Sequence, residues 1–207
     1  GGENLRLDFT ALQRLVDAYQ LRFDELGLVR DHILVTQLPN IVEYVAVYLA
    51  AMKLGIIVSP VPMQFRRHEL EQIIALTNAR ALLTVAEFKG TTPAADALAA
   101  ARGQGLRVLV LGRHAPAGAL PFVPGEPSAP ALAALAQKTQ ALGLSADDIA
   151  TICWTSGTEG VPKGVPRSHN HWLAISWGHR DGAGIRAGDA LLKILAGGRK
   201  LETVDYR

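Results

Sequence analysis

The chain has one cysteine and two methionines, and only 6% of its residues are aromatic. A lone cysteine, Cys153, excludes an intrachain disulfide, and no Cys pair stands at metal-ligand spacing, so a thiolate zinc site is excluded too. This usage fits a reducing, cytoplasmic compartment. Excess charge of one sign is also missing: 21 Lys and Arg stand against 19 Asp and Glu. A net +2 lacks the electrostatic footprint of a dedicated nucleic-acid binder. The longest apolar stretch, 44–61, is broken by Lys53, Ser59 and Pro60, which predicts no membrane span. The first residues, Gly1, Gly2, Glu3 and Asn4, do not read as a signal peptide.

What the chain does have is apolar residues, 49% over 207 positions, enough to bury a sizeable core. They are organised. Leu12, Leu15, Val16, Tyr19, Phe23 and Leu26 recur at helical spacing, with Thr10 and Gln13 as a candidate capping box and Gly27 as a stop. His32 to Gln37 (HILVTQ) reads as a buried strand, and Asn40 with Glu43 as the cap of a second helix running to Gly55. The alternation continues with Ile56–Ser59 as strand, His68–Asn78 as helix, Ala81–Val85 as strand, Pro93–Ala101 as helix and Arg107–Leu111 as strand. Alternation of this kind predicts an α/β fold, a parallel sheet covered by helices. Between His114 and Pro130, five prolines exclude a helix or a central strand and predict a surface connection. An Ala-rich helix from about Ala131 to Leu142 is expected next, as packing, followed by a buried strand, Ile149–Trp154.

That strand leads into the one unusual segment, Thr155–Gly164, TSGTEGVPKG, with Ser168 beyond it as a candidate helix cap. Three glycines let backbone N–H groups approach an anion, three hydroxyls add donors, and Lys163 adds a point charge. The pattern reads as a phosphate loop. It is not a Walker A loop, because Val161 and Pro162 separate Gly160 from Lys163 where that motif needs adjacent Gly-Lys-Ser/Thr. Other candidates carry less. His169 and His171 form an HxH pair without an acidic or Cys ligand at matching spacing, so no metal site is assigned. Trp172 and Trp177 are expected to pack the following helix, and Cys153 to be a small buried hydrophobe. Arg66, Arg67 and His68 read as a solvated helix entry.

TSGTEGVPKG resembles the signature phosphate loop of the adenylate-forming (AMP-binding) superfamily, which includes acyl-CoA synthetases, firefly luciferase and peptide-synthetase adenylation domains. The likeness extends upstream through DFTALQRLVDAYQLRFDELGLVRDHILVTQLPN, MKLGIIVSPVPMQFRRHEL and ARALLTVAEFKG. It implies part of the family's large N-terminal domain, of acyl-CoA synthetase or aryl-acid ligase type. It also implies ATP-dependent activation of a small carboxylic acid as an acyl-adenylate, with Mg²⁺, followed by thioester formation with coenzyme A. Loading of a carrier protein by an aryl-acid ligase is the alternative acceptor chemistry, and a catalytically silent nucleotide-binding or partner module is the alternative role. Carried over residue by residue, Thr155, Ser156, Gly157, Thr158, Gly160 and Lys163 would cradle the β and γ phosphates, with Lys163 as the catalytic group. Glu159 stands where the family's commonest form has Thr; its carboxylate would repel phosphate unless it faces solvent or Mg²⁺.

Family members are generally more than twice this long, and their later adenine, ribose and catalytic-lysine motifs are not found in these residues. Positions 1–192 are therefore expected to be an incomplete N-terminal adenylation domain with its phosphate loop at 155–164. Positions 193–207 depart from the family's order, as at a deletion junction. An isolated chain of this kind is expected to be inactive and to self-associate through open sheet edges.

Overall fold

The computed structural model describes residues 7–125, 127–155, 162–187 and 189. The elements alternate from the start: α1 (Phe9–Glu25), β1 (Ile33–Gln37), α2 (Val42–Lys53), β2 (Ile57–Pro60), α3 (Arg67–Thr77), β3 (Ala81–Val85), α4 (Pro93–Ala100) and β4 (Arg107–Leu111). They are followed by β5 (Leu120–Phe122), α5 (Ala129–Ala141), β6 (Ile149–Thr155), β7 (Lys163–Ser168) and α6 (His169–Ala183). The seven strands form one sheet in the order β5-β4-β3-β1-β2-β6-β7. All neighbours are parallel except β6 and β7, so the α/β reading holds with one antiparallel strand added at the edge. The carboxyl ends of β1, β2, β3, β4 and β6 consequently share one rim, where open α/β sheets bind their ligands.

Alternating side chains along the strands feed two cores. On one face Leu34, Val58, Leu83 and Leu109 meet Val16, Tyr19 and Phe23 of α1 and Ala46, Val47 and Ala50 of α2. On the other, Val35, Leu82 and Val108 meet Leu70, Ile73 and Ile74 of α3 and Ala97 and Ala100 of α4. On the first face the helices α1, α2 and α5 are also tied to one another by polar contacts. Lys53 pairs with Asp17 at 2.9 Å, Gln20 donates to the Thr139 hydroxyl at 2.7 Å, and Lys138 pairs with Asp24.

Several local expectations need correction. The N-cap of α1 is Asp8, whose carboxylate accepts from the Ala11 N–H at 2.6 Å, rather than Thr10 with Gln13. Asn40 does not cap α2: the N-cap is Ile41, without a side-chain bond, and Glu43 lies in the first turn where its charge favours the helix dipole. The Pro-rich connection contains β5, a short strand on the sheet edge, where a proline costs no ladder bond. Its Phe122 is fully buried, stacked on Tyr19 at 5.4 Å and tilted against Phe23 at 5.0 Å. The Ser168 cap is found as expected. The strand before it, β7, was not anticipated, because Gly164 and Pro166 disguise it.

Candidate functional site

The TSGTEGVPKG segment straddles the tip of the β6–β7 hairpin. Thr155 ends β6, Lys163 begins β7, and the two face each other in the antiparallel register, next to the pair Trp154 and Gly164. The Thr155 hydroxyl donates to the Lys163 carbonyl at 3.4 Å. Both residues are exposed. Ser156, Gly157, Thr158, Glu159 and Gly160, five of the seven candidate phosphate contacts, lie outside the described residues, as do the expected junction near Leu192 and Lys193 and the tail to 207. The structure thus fixes the two ends of the segment on the carboxyl rim of the sheet, Thr155 and Lys163 opposite each other.

Neighbouring groups brace that rim. Trp154 donates from Nε1 to the Ser59 hydroxyl on β2 at 2.8 Å. Gln37, the last residue of β1, is fully buried and donates from Nε2 to the carbonyls of Pro62 (3.2 Å) and Phe65 (2.9 Å). It thereby holds the turn between β2 and α3, while the Thr84 hydroxyl donates to the Gln37 backbone carbonyl at 3.1 Å. Arg66 closes the same turn by donating to the carbonyls of Met63 and Phe65, and Arg67 pairs with Glu71 at 2.6 Å, so the basic run is a helix entry. Glu69 accepts from the Arg66 N–H, a bond that lowers its carboxyl pKa. Sequence reasoning missed Ser59, Gln37 and the hydrogen bond of Trp154; the only signal was polar residues inside otherwise apolar strands.

A second cluster lies on the opposite face of β6. Thr36 and Tyr44 share a hydrogen bond at 3.1 Å, Tyr44 and Tyr48 meet edge to face at 5.7 Å, and the Cys153 thiol sits 3.7 Å from the Thr151 hydroxyl. Burial raises the pKa of both phenols, with the Thr36 bond opposing it at Tyr44, so neither ionises near neutrality. Cys153 lies within β6 and is half-buried rather than fully buried. Trp172 donates to the Thr151 hydroxyl at 3.0 Å and so packs as expected, whereas Trp177 is 56% exposed and does not.

The histidine pair is structural at one member. His171 accepts from the Ser168 N–H at 3.1 Å while Ser168 accepts from the His171 N–H at 3.3 Å, a capping box with imidazole in place of Glu or Gln. Among the described residues no three His, Cys, Asp or Glu side chains are grouped to hold a metal ion. The larger cavity, about 410 Å³ between α4, β4 and β5, touches none of the TSGTEGVPKG residues. A groove of about 260 Å³ runs beside Trp154, Pro162 and Gly164. Its other lining residues are Ile33, Leu76, Thr77 and Ile152, and it is smaller than ordinary ligand pockets. No helix among the described residues is long and apolar enough to cross a membrane.

The family model for AMP-binding enzymes matches residues 2–196. The chain belongs to the AMP-binding enzyme family. Among its relatives are a medium-chain fatty-acid–CoA ligase of Escherichia coli, 31% identical over 67% of this chain and 24% of that protein, and an L-proline–[L-prolyl-carrier protein] ligase of Pseudomonas fluorescens, 30% identical over 83% of this chain and 32% of that protein. A solved acyl-CoA synthetase of Brucella canis shares the fold, with a TM-score of 0.65 at 24% identity over 88% of this chain and 32% of that one. The chain therefore spans about a quarter to a third of the length of these curated relatives.

Proposed function

We propose that the chain is part of an ATP-dependent ligase that activates a carboxylic acid as its acyl-adenylate and passes the acyl group to a thiol, with coenzyme A preferred as acceptor. The observation that carries the reading is the juxtaposition of Thr155 and Lys163 at the carboxyl rim, inside the residues matched to the AMP-binding family. In the first half-reaction a carboxylate oxygen attacks the α-phosphorus and the bond to the bridging oxygen breaks, so pyrophosphate leaves with the electron pair. In the second, the thiol sulfur attacks the acyl carbonyl, gives up its proton, and AMP departs.

The residues of the segment suit the first step. Lys163 places a positive charge where negative charge accumulates on the leaving pyrophosphate, and such a charge acts most strongly where its position is set beforehand. Thr155, Ser156 and Thr158 supply hydroxyls, and Gly157 and Gly160 permit close backbone approach to the β and γ phosphates. Mg²⁺, when present, would neutralise phosphate charge. The described residues supply no ready-made cage for it. Glu159 is the one carboxylate in the segment able to face it.

The relatives support both acceptors, since one is named for CoA and one for a carrier protein. The short span relative to those proteins favours a second reading for the isolated 207 residues, a nucleotide-binding or partner module without turnover. Carboxylate-dependent exchange of labelled pyrophosphate into ATP separates the readings. Exchange that needs the carboxylate establishes the ligase; ATP binding with no exchange establishes the silent module; ATP hydrolysis indifferent to carboxylate removes both.

A further inference from the structure

We propose that Trp154, anchored by Ser59 and seated on Gly164, is a positioning residue that sets where Lys163 stands. The inference rests on the reading of Lys163 as a phosphate contact and adds the device that places it.

Three observations converge. First, the Trp154 indole is fastened outside its own hairpin: Nε1 reaches the Ser59 hydroxyl at 2.8 Å, and Ser59 is fully buried on β2 in register with Val35 of β1. The interior of the sheet thus holds the ring. Second, Trp154 faces Gly164 across the hairpin, and a Cβ built on Gly164 would stand 3.2 Å from the indole ring and 2.8 Å from Ile152 Cγ2. Gly164 does not occupy the left-handed region, so it is the space, not the backbone angle, that demands glycine here. Third, β7 is an edge strand paired only with β6, and Pro166 opposite Ile152 brings no N–H to the ladder. Paired on one side among the described residues, the strand takes its position from the β6 ladder and from the side-chain contacts across it. Apart from the Thr155 hydroxyl on the Lys163 carbonyl, the nearest to Lys163 is the Trp154–Gly164 contact, one residue away on each arm.

Three variants of the full 207-residue chain test this: Ser59→Ala, which removes the acceptor; Trp154→Phe, which keeps a ring over Gly164 but has no N–H; and Gly164→Ala. Calorimetric titration with ATP, well below the melting temperature of each variant, is expected to show affinity weakened about three- to tenfold by Ser59→Ala and by Trp154→Phe, the worth of one net hydrogen bond. Gly164→Ala is expected to weaken it at least as much. Far-ultraviolet circular dichroism should stay unchanged, which separates displacement of Lys163 from loss of fold. Amide hydrogen exchange of Lys163 and Val165 is read in the same variants and should accelerate in all three. If the parent chain binds ATP and Ser59→Ala and Trp154→Phe bind it equally well, the positioning role is overturned and the phosphate reading stands. If the parent chain binds no ATP, the phosphate reading falls, and with it the claim that Lys163 is positioned for phosphate. Unchanged exchange at Lys163 and Val165 overturns the mechanical role whether or not ATP binds.

Discussion

Phe122 lies against Tyr19 with ring centroids 5.4 Å apart and planes inclined by 13°, joining the short edge strand β5 to the first helix. The contact explains how a connection rich in proline is held by a strand of only three residues: one aromatic side chain anchors it in the core. Truncation to Phe122→Ala would leave a cavity between Tyr19 and Phe23. We expect it to cost about 3–5 kcal/mol of stability, with the loss read from urea unfolding. A loss below 1 kcal/mol would mean that β5 detaches without disturbing the core.

Arg30 donates to the Leu142 carbonyl at 2.8 Å and to both carboxylate oxygens of Asp148 at 3.1 Å, linking the approach to β1 with the end of α5 and the entry to β6. Both side chains are partly exposed, so the ion pair itself is worth little. Asp148 also accepts from the Ser145 N–H at 2.9 Å. Arg30→Ala is therefore expected to lower stability by about 1 kcal/mol, and Asp148→Ala by slightly more, with the double variant less than additive. A strictly additive cycle would show that the two do not act together.

Lys163→Ala should leave the fold intact, because the side chain is exposed at the first position of an edge strand. If Lys163 contacts phosphate, ATP affinity should fall about tenfold or more, the scale of a charge-assisted hydrogen bond. Lys163→Arg should recover only part of it, since a planar guanidinium differs in reach from an ammonium. Equal affinity in parent and Lys163→Ala would remove this residue from the site.

The pH dependence of stability should be asymmetric. Burial, aided by the Glu43 charge, pushes the Tyr19 phenol up to about 12 from an ordinary value of 10, and burial raises Tyr44 and Tyr48 in the same direction. A raised pKa means that the folded state holds the proton longer, so this contribution is intact below pH 10 and is lost as pH climbs from 10 towards 12 and beyond. On the acid side, burial and the charges of Arg80 and Arg107 lower His32, so the unfolded chain takes up the proton first and stability falls as pH drops through about 6.5. Urea midpoints across pH 5–11 would check both limbs. Tyr19→Phe should flatten part of the alkaline fall and leave the acid limb unchanged.

Much of the layered sheet was legible because its strands are apolar on both faces and its helices carry one apolar stripe, so the period of the pattern changes where the structure changes. Helix starts were less legible: Thr10 and Asn40 are good capping residues by type, but the chain uses Asp8 at one helix and no side chain at Ile41 for the other. β7 was hidden by Gly164 and Pro166, which usually argue against a strand and are tolerated here because only one edge is paired. At the candidate site, the end of β6 beside Thr155 was legible from its apolar run, whereas the strand that Lys163 begins was not. Nor was the bracing by Ser59 and Gln37, because a polar residue in a buried strand announces that it has a partner without saying which.

Gln37 gives both hydrogens of its side-chain amide to successive turns of the Pro60–Arg66 connection, from a place with no access to solvent. That connection is in effect stapled to the central strand and travels with it. A molecule arriving at this rim meets a surface whose shape is already decided, and loses less disorder on landing than it would against a free loop.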